Sequence, residues 1–117
     1  MIGLKTMKNS KKKIIYSEFI GSCFLVMIVV GSGIMAQNLT NDTAVMLLAN
    51  TIATGAGLFV LITVFSDISG AHFNPFVTLS MFFTGRLKSK LIHIYIFSQI
   101  LGCLAGVGLA NFFFELP

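Results

Sequence analysis

The chain has 117 residues, 56% of them hydrophobic and 10% charged, with a formal net charge of +4 and a mean hydropathy of +0.91. A soluble domain of this length needs a charged exterior that this composition cannot supply, so residence in a membrane follows. No phosphate-cradling glycine loop, zinc-ligand spacing, nucleophile–base pair or paired carboxylate is present, which excludes an enzyme and leaves no cofactor or metal to assign.

From the N-terminus, residues 1–13 form a basic segment holding Lys5, Lys8, Lys11, Lys12 and Lys13 ahead of a long apolar run. It resembles the start of a secretory signal, but the apolar core of a signal is about 7–15 residues. Ile14–Ala36 is longer, so an uncleaved span is expected. About 20 apolar residues cross a bilayer as a helix. Ile14–Ala36, Ala44–Phe65 and Leu91–Phe114 meet that length, and Glu18 is the only charge inside them. Cys23 and Cys103 lie in apolar runs and read as packed thiols, with no disulfide inferred.

All eight basic residues lie before the first span or, as Arg86, Lys88 and Lys90, between the second and third. With three spans both groups fall on one side, which the positive-inside rule makes cytoplasmic. The expected topology has the N-terminus inside and the C-terminus outside a cell or inner membrane. The lysines flank spans and have no aromatic stacking surface beside them, so contact with anionic headgroups is expected and nucleic acid is not. Small residues recur every fourth position: Ser17 and Gly21 in the first span, Ala49, Ala53 and Gly57 in the second, Ser98, Gly102, Gly106 and Ala110 in the third. Such stripes let helix backbones approach closely in lipid and predict a compact bundle.

Between the second and third spans stands Ser69-Gly-Ala-His-Phe-Asn-Pro-Phe-Val-Thr78. Asn74 is a strong helix N-cap, and Pro75 at the first helical position loses no hydrogen bond. The helix should run through Phe82 and stop near Gly85, about ten residues or ~15 Å, half a membrane at most. Both of its ends then connect to one side, so residues 67–85 form a re-entrant loop and half-helix. Irregular backbone at that depth is tolerated only against protein or a watery cavity. The helix start aims its partial positive charge inward, and Asn74 keeps its amide hydrogens for a passing oxygen. The alternative is a cytoplasmic loop with an amphipathic turn, which the apolar stretch from Phe73 to Phe83 argues against.

These residues resemble the aquaporin, or major intrinsic protein, family. The SGAHFNPFVT stretch is similar to its first signature, SEFIGSCFLVMIVVGSG to its first helix, and SQILGCLAG to part of its third. The likeness covers Ile14 to the end. It implies an all-α membrane protein of three transmembrane helices and one re-entrant half-helix, one half of an aquaporin-like inverted-repeat bundle over residues 14–117. It implies passive permeation of water or small neutral solutes such as glycerol or metalloid acids. Asn74 and Pro75 would stand at the pore centre, and the carbonyls of Gly70, Ala71, His72 and Phe73 would line a vestibule. Glu18 and Gln99 would be buried polar supports. For Glu18 a headgroup-level position is the alternative; for His72, a structural loop histidine instead of a gate; for Gln99, a plain helix–helix hydrogen bond.

Three departures accompany the likeness. Phe76 stands where the family usually has alanine, and its bulk narrows the pore or needs a compensating partner. Thr54 stands where an aromatic commonly forms the outer constriction, which suggests a wider or more polar constriction and larger neutral solutes. The family's second, inverted repeat does not follow, so a truncated or split half-channel is expected, completed by a complementary second-repeat chain or an oligomer. Identical copies would need dual topology, against the charge bias. A rival reading is a small proton-coupled multidrug-type exchanger acting through Glu18, and a third is a non-conducting remnant. The exchanger leaves the Asn74-Pro75 motif unexplained.

Overall fold

A computed structural model describes residues 4–115 of the chain; the expectations for residues 1–3 and 116–117 lie outside the described residues. Helix α1 spans Leu4–Leu39, α2 Thr43–Ser69, α3 Pro75–Phe83 and α4 Ile92–Phe113, with a 3-10 turn at Ser89–Leu91 leading into α4. Among the described residues there is no strand. Three of these helices are long and apolar enough to cross a membrane, and α3 is a nine-residue piece between the second and third. The protein is therefore an all-helical membrane protein consistent with half of an aquaporin-like bundle.

Helix α1 begins at Leu4, inside the basic segment. Lysine favours helix, and no glycine or proline lies between Leu4 and Ile20 to stop one. Helix α2 starts where Asp42 caps it, its Oδ1 accepting from the N–H of Ala44 at 2.9 Å and of Val45 at 3.2 Å. It ends at Gly70, which adopts a left-handed φ of 87° and returns its N–H to the Ser66 carbonyl. Only glycine takes that conformation without steric cost.

Helix α1 is the centre of the bundle, packed against both α2 and α4, while α3 rests on α4. The stripe on α4 makes the closest contact. Ser98, Gly102, Gly106 and Ala110 are all buried. A Cβ on Gly102 would stand 2.4 Å from the Phe19 carbonyl oxygen, and one on Gly106 2.5 Å from that of Cys23. The two backbones therefore touch, and no side chain fits between them. Against α2 the contact is looser and partly polar. Gly57 receives the Ile28 side chain, and the Asn50 amide donates to the Val29 carbonyl at 2.8 Å and to Ser32 Oγ at 3.0 Å. Ala49, expected in the same stripe, is exposed.

Replacing Gly102 by alanine should separate α1 from α4 at a cost of about 1–3 kcal/mol. Gly108→Ala, where a Cβ meets nothing within 4 Å, should be neutral or slightly stabilising. Thermal unfolding in detergent, followed by circular dichroism, checks both.

Candidate functional site

The loop from Gly70 to Asn74 has no regular structure of its own. Its backbone takes positive φ at Gly70 (87°), Ala71 (53°) and Phe73 (52°). For alanine and phenylalanine such conformations cost of order 1–3 kcal/mol each and persist only where the surroundings enforce them. The enforcing group is Glu18, on α1, which is 0% exposed. Its Oε1 accepts from the His72 N–H at 3.0 Å and from Ser69 Oγ at 2.9 Å. Its Oε2 accepts from the Phe73 N–H at 2.8 Å and from Gln99 Nε2 at 3.3 Å. Ser69 Oγ in turn accepts from the Ala71 N–H at 3.2 Å. A buried carboxylate is tolerated only when its lone pairs are met this fully.

Trans peptide geometry sets what happens on the opposite side. In each planar unit the C=O points away from the N–H. Because the N–H groups of Ala71, His72 and Phe73 turn inward, the carbonyls of Gly70, Ala71 and His72 turn outward. None of the loop carbonyls from Gly70 to Phe73 accepts a hydrogen bond from a described residue.

A second layer locks the loop. Gln99 is 0% exposed, and its Nε2 also donates to Thr78 Oγ1 at 3.0 Å. Thr78 Oγ1 lies 3.0 Å from His72 Nδ1, and the His72 ring stacks on Tyr95 at 4.4 Å between centroids. The Tyr95 hydroxyl donates to the Ser69 carbonyl. The Phe73 ring, 3% exposed, lies against Gly21, where a Cβ would stand 2.0 Å from it, and meets Phe65 edge-on. Two buried polar atoms nearby, Ser22 Oγ and Gln99 Oε1, have no described partner.

Helix α3 then begins as its sequence dictates. Asn74 is extended (φ −154°), its Oδ1 accepts from the Phe76 N–H at 2.8 Å, and Pro75 takes the first turn. Asn74 Nδ2 donates to no described residue, and Asn74, Pro75 and Phe76 are all exposed, Phe76 at 75%. These three exposed residues directly follow the loop carbonyls in the chain. Thr54 stands apart from them. It lies fifteen positions before Ser69 on α2, ~22 Å along a helix axis, and its hydroxyl is buried without a described partner. His72 is 9% exposed and held on both sides of its ring system, a buried loop histidine.

Ser69, Thr78, Tyr95 and Gly21 also belong to the site, and sequence reasoning assigned them no part in it. A partial signal exists: Tyr95 and Gln99 are four apart on one face of α4, and Thr78 is four beyond Asn74 on α3.

Glu18→Ala should leave several inward N–H and O–H donors unpaired and cost about 3–5 kcal/mol. Hydrogen exchange of the amides from Ala71 to Phe73 should speed up markedly. Glu18→Gln, which keeps one acceptor, should show a smaller change in the same measurement.

The family model described as "Major intrinsic protein" matches residues 4–116. The chain is 50% identical over 101 residues to "Aquaglyceroporin AqpS" of Rhizobium meliloti (strain 1021), covering 86% of this chain and 43% of that protein. It is 37% identical over 94 residues to "Aquaporin A" of Dictyostelium discoideum, covering 80% of this chain and 34% of that one. The chain thus spans less than half the length of these relatives. Across the first span, the re-entrant stretch and the third span alike, it belongs to the major intrinsic protein family.

Proposed function

We propose that this chain forms one half of a channel for passive movement of water or small neutral solutes, with glycerol and undissociated metalloid acids as candidates. The observation that carries the reading is the open face at Asn74. A half-helix start, an amide with hydrogens to spare and a row of outward carbonyls meet there. Donors and acceptors side by side suit a solute that is both, such as water or a polyol. The similarity to an aquaglyceroporin supports the polyol class.

In this reading Asn74 and Pro75 stand at the pore centre, and the carbonyls of Gly70, Ala71, His72 and Phe73 line the approach. Glu18 and Gln99 act from behind, as supports that touch no solute. Thr54 belongs to the far constriction, through its small size more than its buried hydroxyl. The basic end faces the cytoplasm. One open face makes half a wall, so a second half of inverted topology closes the pore, whichever polypeptide carries it. Phe76 projects toward that second half and requires a small residue opposite.

The exchanger reading needs Glu18 to meet solvent and trade a proton for a cation. Its 0% exposure and four donors argue against that.

Stopped-flow swelling of proteoliposomes tests the proposal. The chain alone should give no flux above empty vesicles, and addition of an inverted second repeat should restore it. In the restored channel Asn74→Ala should lower solute flux at least tenfold, about 1.4 kcal/mol of barrier. Phe76→Ala should raise it. Fast flux from the chain alone would refute the requirement for a second half.

A further inference from the structure

Far from the open face, a second feature is built where α1 meets the turn ahead of α4. A pocket of about 360 Å³ is lined by Lys11, Arg86, Lys88 and Lys90, with Ile14 and Leu91 among its apolar walls. No carboxylate lines it. Of the four acidic residues in the chain, Glu18 is held by the loop, Asp42 caps the opposite end of α2 and Glu115 follows α4 at that opposite end, while Asp67 lines a neighbouring pocket with Lys13.

The backbone fixes this cluster. Gly85 takes φ 77° and the Arg86 N–H returns to the Met81 carbonyl at 2.9 Å, closing α3 in a Schellman-type turn. The 3-10 turn follows, with the Leu91 N–H on the Lys88 carbonyl at 3.0 Å. Arg86, Lys88 and Lys90 therefore emerge from ordered turns onto the side of α1 that carries Lys11. The apolar lengths of α1 and α4 start at Ser10 and Ser89, so the pocket lies at the membrane boundary.

Below it runs an apolar groove of about 250 Å³ between α1 and α4, lined by Ile15, Phe19, Ile94, Phe97 and Leu101 among others. Lys11, Ile15 and Phe19 are successive turns of one face of α1; Ile94, Phe97 and Leu101 share one face of α4, which Lys90 of the 3-10 turn precedes. Cationic pocket and apolar groove are thus neighbours along the α1–α4 surface, Ile14 lining the one and Ile15 the other. By helical periodicity the groove's α4 residues Ile94, Phe97 and Leu101 lie on the side of that helix away from Gln99.

We propose that this feature is a binding site for an anionic phospholipid, with its phosphate among Lys11, Arg86, Lys88 and Lys90 and an acyl chain in the groove. The charge supplies selection by headgroup, and the groove selects lipid over free phosphate.

Native mass spectrometry of the purified chain in detergent tests it, with dioleoylphosphatidylglycerol, dioleoylphosphatidylcholine and chainless glycerophosphoglycerol as probes. Phosphatidylglycerol should be retained at least about tenfold better than phosphatidylcholine. Lys11→Gln with Arg86→Gln should remove that preference, while Lys12→Gln, on the same helix outside the pocket, should not. Leu101→Trp, or Ile15→Trp on the facing helix, should weaken retention by filling the groove; only variants with wild-type helicity by circular dichroism are compared. Equal retention of both lipids, equal damage from Lys12→Gln, or chainless headgroup bound as tightly as lipid would each overturn the proposal. The readout is lipid retention, so its outcome is independent of whether the chain conducts.

Discussion

The structure depends on one buried carboxylate. Glu18 gathers four donors from three parts of the chain: two loop amides, a serine at the end of α2 and a glutamine on α4. Placing a carboxylate in an apolar bundle is costly, and so is holding Ala71 and Phe73 at positive φ. Each cost is offset only by the other. The loop supplies the hydrogen bonds the carboxylate needs, and the carboxylate enforces the backbone that the loop would otherwise abandon. Removing either partner strands the other, which makes this pairing specific to one loop conformation.

The close contact of α1 with α4 makes the pairing possible. Gly102 lies one turn beyond Gln99, and Phe19 directly follows Glu18. Backbone contact at that level brings the two long polar side chains within reach of each other. A bulkier residue at Gly102 would carry Gln99 away from both Glu18 and Thr78. The stripe of small residues therefore acts on the loop indirectly, by setting a distance.

Much of this was legible in the sequence because it rests on local chemistry. Span lengths follow from apolar runs, the start of α3 from Asn74-Pro75 and its stop from Gly85. These signals lie within a few residues of what they govern. The start of α1 at Leu4 lies ahead of the apolar span because span length reports hydrophobicity, and lysine itself does not end a helix. The hydroxyls that hold the loop around Glu18 were less legible for another reason. Ser69, Thr78 and Tyr95 are 51, 60 and 77 positions away from it by the numbering, and a hydroxyl in an apolar helix usually bonds its own preceding turn, as Thr51 and Thr63 do here. Nothing in the residue type says which hydroxyls will reach across. Thr54 shows the limit most clearly: its position along α2 was readable, but not that its hydroxyl would be turned away from solvent.

The length of α1 has a mechanical consequence. Its 36 residues make a rod of ~54 Å, against a hydrocarbon core of about 30 Å. Tilt alone would need an angle well beyond the roughly 0–40° that membrane helices adopt. The surplus must stand in water as a stiff handle. With no glycine or proline between Leu4 and Ile20, a torque applied to that handle would reach Glu18 with little slack.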